Sequence, residues 1–379
     1  MPDPAEELIA ELLLGAVELL DLPAELQEAA NAVYDDVGLW MSRSLEQGKW
    51  HVYAQGSMRL GTVVRPSVDD EYDIDAVAEW AVDKEATSQD ELKKTVGEAL
   101  RSYVEARGGD GPLSPTRCDE SSRCWTLRFT GPLHMDVLPA IPDTKAPPTG
   151  ILLPDREMFR WQHSDPTAYS DWFFDRMARD VLEERKIVAK QAQVNIDDVP
   201  TWRVRTALQR VVQAVKLHRT YYFAETPEHR PPSILLTTLV AQAYRGGSSL
   251  FGALMDVAAN IPSFLQKEGN VYVVKNPIQP EENFADLWGK EPVHVEMFLQ
   301  WLADLQRTLE ETKGTTLGLN DVVKRLAPGF GERAMLKSAQ RLGESRARAR
   351  TAGQLMVTGM GSLGTAGSLA VKDHTFHGA

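Results

Sequence analysis

Residues 56–80 read GSMRLGTVVRPSVDDEYDIDAVAEW, and the fold turns on how they are read. A Gly56-Ser57 turn leaves one predicted strand, and Asp73 and Asp75 stand one residue apart on the next. Side chains alternate faces along a strand, so the two carboxylates point the same way while Ile74 turns toward a core. Adjacent carboxylates repel unless a positive charge sits between them. A hard divalent cation answers that need, since magnesium takes a few carboxylate oxygens and leaves its other positions to water and substrate phosphates. Glu71 shares the same parity, so alternation alone does not choose among the three acids. Asp69 to Tyr72 lacks an apolar strand pattern and Asp73 to Val77 begins one. Asp73 and Asp75 are therefore assigned as ligands, and Glu71 as a solvated loop acid.

Working outward, HVYAQ before the turn and SRCWTLRF and LHMDVLPA after it read as further strands. Thr130-Gly131 suits a hairpin between the last two. A helix opens at Ser88, a good N-cap, and runs through SQDELKKTVGEALRSYVEA. Asp136 lies between Met135 and Val137 in the last strand. An acid among apolar neighbours costs several kcal/mol of desolvation unless it is paired or metal-bound, so Asp136 can complete a three-carboxylate site. An Asp-x-Asp pair alone is more often a solvated strand face, and Gly-Ser alone is an ordinary turn. Their order, their spacing and the third carboxylate together favour the metal reading.

Composition bounds what such a site can serve. The chain has 379 residues, 43% of them hydrophobic and 25% charged, enough for two lobes with separate cores. Its net charge of -13 argues against a broad nucleic-acid footprint. No apolar run has the length of a membrane helix, and MPDPAEELIAELLLGAVELL is acidic where a signal peptide is basic, so a cytoplasmic protein with no membrane partner is expected. Two cysteines, Cys118 and Cys124, are too few for a four-cysteine zinc site; with His134 they make only a weak zinc set and read as buried small residues. There is no HExxH or HxxxH pair, and no GxxxxGK[ST] loop.

The remainder is organised in blocks. Residues 1–46 read as two N-terminal helices packing on both lobes, the second capped at Asp21 or Leu22; 47–165 as a catalytic lobe; 166–350 as a helical lobe; and 351–379 as a flexible tail of small residues. Asp165-Pro166 starts a helix through TAYSDWFFDRMARDVLEERK, and a brief strand is expected at Val271 to Val274. The helix 202–223 carries Arg203, Arg205, Arg210, Lys216 and Arg219 and no acid, which suggests an anion site in an acidic protein. Leu208, Val211, Val212 and Val215 form its apolar stripe, with Lys216 at the edge. A lysine there is as often a surface residue as a ligand. Ser233 opens the apolar helix SILLTTLVAQAY, where free N–H groups can meet phosphate.

YAQGSMRLGTVVRPSVDDEYDIDAV, HMDVLPA, DPTAYSDWF, KLHRTYY, PPSILLTTLVAQAY and NPIQPEENFADLW together resemble the cGAS/DncV-like nucleotidyltransferases of bacterial anti-phage (CBASS) systems, over about residues 53–288. The resemblance implies an α+β fold: a polymerase-beta-like nucleotidyltransferase lobe with a mixed sheet, a mainly helical C-terminal lobe, and an active site in the cleft between them. It places the family's metal triad on Asp73, Asp75 and Asp136, the triphosphate-contacting turn on Gly56 and Ser57, and phosphate contacts on Lys216 and Ser233. It implies two magnesium ions, with manganese as a substitute, and a synthase joining NTP substrates, ATP with or without GTP or a pyrimidine nucleotide, into a cyclic di- or trinucleotide with release of pyrophosphate. A downstream effector then binds the product rather than the enzyme. The zinc insertion of the animal member is absent, so activation by double-stranded DNA is not implied. The tail ending Gly378-Ala379 resembles termini conjugated by a ubiquitin-transfer-like partner, with an unstructured terminus as the alternative. Two rival readings are a template-independent transferase on an RNA end, disfavoured by the net charge, and a non-catalytic nucleotide-binding scaffold, which has no need of three converging acids.

Overall fold

The computed structural model describes residues 4–45, 49–64, 72–111, 113–121, 123–154, 160–193, 195–196, 204–247, 249–313, 318–357, 363–364 and 369–371. Glu71, Arg203 and the terminal Gly378-Ala379 lie outside them. Among the described residues no helix is long and apolar enough to cross a membrane. Two units form, neither continuous in sequence: a sheet unit of Asp21–Gln209 with Val274–Ala285, and a helical unit of Met1–Leu20, Arg210–Val273 and Asp286–Ala379. The two N-terminal helices part company, α1 (Pro4–Glu18) belonging to the helical unit and α2 (Ala24–Ser44) to the sheet unit.

In chain order the sheet unit continues as β1 (Trp50–Gln55), α3 (Gly56–Leu60), β2 (Tyr72–Trp80), α4 (Gln89–Arg107), β3 (Pro115–Glu120), β4 (Trp125–Phe129), β5 (Leu133–Pro142), β6 (Ile151–Leu153), β7 (Gln162–Ser164), α5 (Pro166–Asp175) and α6 (Ala178–Ala192). Its strands make a mixed seven-stranded sheet, in order β1-β2-β5-β4-β3 with β6 paired to β5 and β7. Among the described residues, β2 and β5 are its one parallel pair. One face carries Ile74, Ala76 and Ala78 of β2 and Met135, Val137 and Ile141 of β5, packed with Leu92, Val96 and Leu100 of α4 and Val33, Val37 and Met41 of α2. The other face holds a smaller cluster of Tyr53, Val77, Leu138, Ala140, Ile151 and Leu153. Asp73, Asp75 and Asp136 share the parity of that second face, just N-terminal of its apolar patch.

The expected caps form. Ser88 Oγ accepts the Glu91 N–H at 3.1 Å, and Asp165 Oδ1 accepts the Ala168 N–H at 2.8 Å with Pro166 in the first turn. At α2 the cap position falls on Pro23, with no side-chain cap, rather than on Asp21 or Leu22. The helix expected to run unbroken from Pro166 divides at Met177, whose φ of -132° is not helical and whose buried sulfur receives the Thr206 hydroxyl at 2.8 Å. Three strands, β3, β6 and β7, go beyond the four expected. β3 is a largely solvated edge and β7 reads Gln-His-Ser, so neither shows apolar alternation.

One contact in the core restricts α4 to a small residue. A Cβ on Gly97 would lie 2.2 Å from Trp125 Cζ2, and Trp125 is fixed by its indole N–H, which donates to the Lys93 carbonyl at 2.9 Å. Gly97→Ala should therefore destabilise the protein by about 1–3 kcal/mol, despite alanine's better helix propensity. Chemical denaturation followed by tryptophan fluorescence would measure it; an unchanged midpoint would show that the ring can move aside.

The helical unit adds α7 (Ala207–Tyr222), whose first turn belongs to the sheet unit, then α8 (Ser233–Ala243), α9 (Leu250–Asn260), β8 (Gln266–Glu268), β9 (Val271–Val273), α10 (Val293–Lys313), α11 (Leu319–Phe330) and α12 (Glu332–Thr351). The expected strand near 271 is β9, in a hairpin with β8. Leu208, Val211, Val212 and Val215 are fully buried, but so are Gln213, Lys216 and His218. α7 is thus a central helix buried on all sides rather than an amphipathic one with a solvated basic face. α1 packs on α12 and α9, and Ser338 Oγ donates to the Leu12 carbonyl at 2.8 Å. The tail, expected to be flexible, contains three two-residue strands, β10 (Met356–Val357), β11 (Leu363–Gly364) and β12 (Leu369–Ala370), in an antiparallel sheet ordered β11-β10-β12.

Candidate active site

Parallel pairing of β2 with β5 sets Asp75 directly opposite Asp136 and Asp73 opposite His134. One oxygen from each aspartate lies within 4.8 Å of the others. The Asp73 side chain is 58% exposed, while Asp75 and Asp136 are half-buried. The cluster therefore opens to solvent on the Asp73 side.

Neighbouring elements fix these groups. On β4, Thr126 stands opposite Asp136, and its hydroxyl donates to Asp136 Oδ1 at 2.5 Å. His134 Nε2 sits 3.2 Å from Asp73 Oδ1. From α2, Tyr34 donates its hydroxyl to the Asp75 backbone carbonyl at 2.7 Å, tying the helix to the strand that carries two of the acids. Burial above all, then the charges of Asp75 and Asp73, push the Tyr34 phenol well above its ordinary range, so it stays a donor.

The Gly-Ser turn abuts this cluster. Gly56 has φ +64°, and a Cβ there would stand 1.9 Å from Asp75 Oδ2. Only glycine fits both the left-handed backbone and the approach of the carboxylate. Ser57 follows in the first turn of α3, which ends at Gly61 in the left-handed region. Gln209 closes that end by donating its amide to the Leu60 carbonyl at 2.8 Å.

Three converging carboxylates suit a hard divalent cation. Among the described residues they are the one group of His, Cys, Asp and Glu side chains close enough to share an ion, so Cys118, Cys124 and His134 make no zinc site. Burial pushes both thiols up to about 11, with the Asp136 charge adding to the rise at Cys124. Both are protonated at neutral pH and do not act as thiolate ligands.

The structure thus gathers Asp73, Asp75, Asp136 and Gly56, with Ser57 adjoining. Lys216 and Ser233 belong to the helical unit. Lys216 is 4% exposed on α7; Ser233 is exposed at the start of α8, where its hydroxyl accepts Arg219 Nη1–H at 3.0 Å. Sequence reasoning missed Thr126 and Tyr34 and considered His134 only as a zinc ligand. The Thr130-Gly131 hairpin carried a usable signal, since antiparallel pairing from that turn sets Thr126 against Asp136. Nothing local marks Tyr34, whose bond spans 41 residues.

The chain is similar to several known proteins. The Second Messenger Oligonucleotide or Dinucleotide Synthetase domain matches residues 38–176, which include all three aspartates and Gly56-Ser57. A c-di-GMP synthase of Roseivirga ehrenbergii is 27% identical, the alignment covering 99% of this chain and 98% of that protein. The cyclic dinucleotide synthase CdnG of Bradyrhizobium diazoefficiens is 28% identical, covering 97% and 92%. Its solved structure in complex with GTP superposes with a TM-score of 0.71 at 25% identity, covering 90% of this chain and all of that one. The Vibrio cholerae cyclic AMP-GMP synthase DncV shares the fold, with a TM-score of 0.53 at 18% identity over 87% of each chain.

Proposed function

Because the chain belongs to the cGAS/DncV-like nucleotidyltransferases, we propose that it joins two molecules of GTP into a cyclic dinucleotide, releasing two pyrophosphates, as the signal-producing step of an anti-phage response. The observation that carries this reading is the convergence of Asp73, Asp75 and Asp136 within 4.8 Å, with the Gly56 turn against them. GTP is favoured over the ATP, with or without GTP, expected from sequence by the c-di-GMP synthase relative and by the GTP-bound neighbour.

The three carboxylates fit magnesium, which when bound supplies positive charge at the reacting α-phosphate and lowers the pKa of an acceptor hydroxyl. The protein's own part is to hold and orient. Thr126 holds Asp136 Oδ1, which fixes the carboxylate that is to take the proton of the acceptor ribose hydroxyl. That hydroxyl oxygen bonds to the α-phosphorus of the donor nucleotide, the bond from phosphorus to pyrophosphate breaks, and the proton leaves toward the carboxylate. A second transfer in the reverse sense closes the ring. Gly56 lets a phosphate chain lie against the backbone and Ser57 donates its hydroxyl to it, while Lys216 and Ser233 keep the phosphate-contacting role that the family resemblance implies.

Mass spectrometry of products from all four NTPs with magnesium tests this directly. A phosphatase-resistant cyclic product containing guanine is expected. Linear or RNA-attached products alone, or no turnover, would overturn the proposal; a cyclic product lacking guanine would overturn the base assignment.

A further inference from the structure

His218 on α7 is fully buried, yet neither of its ring nitrogens has a hydrogen-bond partner among the described residues. Trp301 of α10 and Phe330 of α11 flank the ring, their centroids 6.3 and 5.3 Å away, and a Cβ on Gly329 would stand 2.8 Å from its Nε2. Burial lowers the His218 pKa to about 4, so at neutral pH the ring is an uncharged imidazole with one donor and one acceptor. Such a group costs free energy to bury unless both find partners. Asp304 Oδ2 of α10 lies 3.6 Å from Nε2, too far for a hydrogen bond. The other oxygen of Asp304, Oδ1, is held by Arg307.

His218 and Asp304 line a cleft of about 280 Å³ between α7, α10 and α11, walled also by Tyr222 and Arg325. One water needs only roughly 10–15 Å³ of such space, and clefts for whole drug-sized ligands begin at about 300 Å³, so the size suits a single ring system. Charge narrows the choice further. Asp304 and Glu311 are balanced by Arg307 and Arg325 along the cleft, which favours neither a bare cation nor a bare anion. Arg325 donates Nη1–H to the Glu311 carbonyl at 2.7 Å, and the Nε–Nη2 edge of its fork is left over. That edge matches two acceptors set side by side, as O6 and N7 of guanine are. The opposite edge of guanine carries N1–H and the N2 amine, donors that suit Asp304 Oδ2 and the acceptor nitrogen of His218. Adenine has an amine where guanine has O6 and would turn a donor on the guanidinium. Tyr222 offers an aromatic wall for the ring.

We propose that the cleft between α7, α10 and α11 binds one guanine base, held by the Arg325 fork on one edge and by Asp304 and His218 on the other. All of these residues belong to the helical unit, and none is in the carboxylate cluster, so the assignment does not rest on the synthase reading. Arg307 and Glu311 are more than half exposed, which lets a ribose attached to the base leave toward water.

Nitrogen–proton correlation spectra of the histidine rings, recorded on the full chain in EDTA during titration with guanosine, test this. His218 reports on the cleft, and His134, 3.2 Å from Asp73, reports on the carboxylate cluster; His218→Gln and His134→Gln assign the two signals. The His218 signals should shift saturably with guanosine and not with adenosine, and His134→Gln should leave that binding unchanged. Asp304→Asn and Arg325→Gln should each weaken it about tenfold or more, as expected for losing one edge of base recognition. Neither side chain is buried, circular dichroism checks the fold, and either variant alone carries the test if the other does not fold. No shift of His218, an equal shift with adenosine, or unchanged affinity in the folded variants overturns the inference. GMP shifting the same signals supports the site with a nucleotide as its source, and a shift with guanosine alone supports it with a nucleoside.

Discussion

Asp136→Asn should abolish cyclic product formation and, in the same protein, raise the melting temperature of the ligand-free chain. The substitution is isosteric, and the asparagine oxygen can still accept the Thr126 hydroxyl, so the hairpin should be undisturbed. What is lost is one of three negative charges whose oxygens lie within 4.8 Å. Unit charges at that distance repel by about 1 kcal/mol in water and more where half-buried. Removing one should therefore stabilise the empty site, by about 2–4 °C for each kcal/mol in a unit of this size. The same change removes a metal ligand and the proton acceptor for the ribose hydroxyl, worth several kcal/mol in the transition state, so turnover should fall on the order of a thousandfold or more. Added magnesium should raise the wild-type melting temperature and leave the variant's unmoved. Activity within tenfold of wild type would refute the role assigned to Asp136; an unmoved apo melting temperature would refute the repulsion argument.

Gly56→Ala has the next largest expected effect, and it acts through position rather than charge. The φ of +64° costs a residue with a Cβ about 1–2 kcal/mol, and that Cβ would stand 1.9 Å from Asp75 Oδ2. Either the turn shifts or the carboxylate swings away, and a displacement of about 1 Å at a reacting centre can cost a hundredfold in rate. Gly269 is the matched control, since its φ is +62° but nothing lies within 4 Å of where its Cβ would be. Gly269→Ala should show the backbone cost alone, about 1 kcal/mol of stability, with activity intact. Steady-state synthesis beside thermal denaturation separates the two. Both variants remaining fully active would show that Asp75 accommodates the methyl group.

The site was legible in the sequence because its geometry is set by strand periodicity. Asp73 and Asp75 share a face by spacing, and Asp136 joins them because β2 and β5 are parallel neighbours in register. The caps at Ser88 and Asp165 were legible for a similar reason, each being a local bond over three residues. What escaped depends on partners remote in sequence or on weak pattern. β3 and β7 sit where solvent removes the need for alternation. α7 reads as a basic amphipathic helix, yet Gln213, Lys216 and His218 are buried because other helices enclose it, which no period of 3.6 can reveal.

The separation of α1 from α2 has a consequence for the order in which the polypeptide is made. Ile9, Leu12, Leu13, Ala16 and Val17 are 0–1% exposed in the finished protein, yet the Ser338 hydroxyl that bonds the Leu12 carbonyl comes 326 residues later. At about 5–20 residues per second, a ribosome leaves roughly a quarter of a minute to a minute between the two. During that interval the side of the first helix that α12 covers has no partner, while the sheet behind it can already close. The nascent chain thus carries a hydrophobic segment at its leading end that α9 and then α12 must cover, and a truncation before α12 would leave the side facing α12 bare, a target for chaperones and proteases.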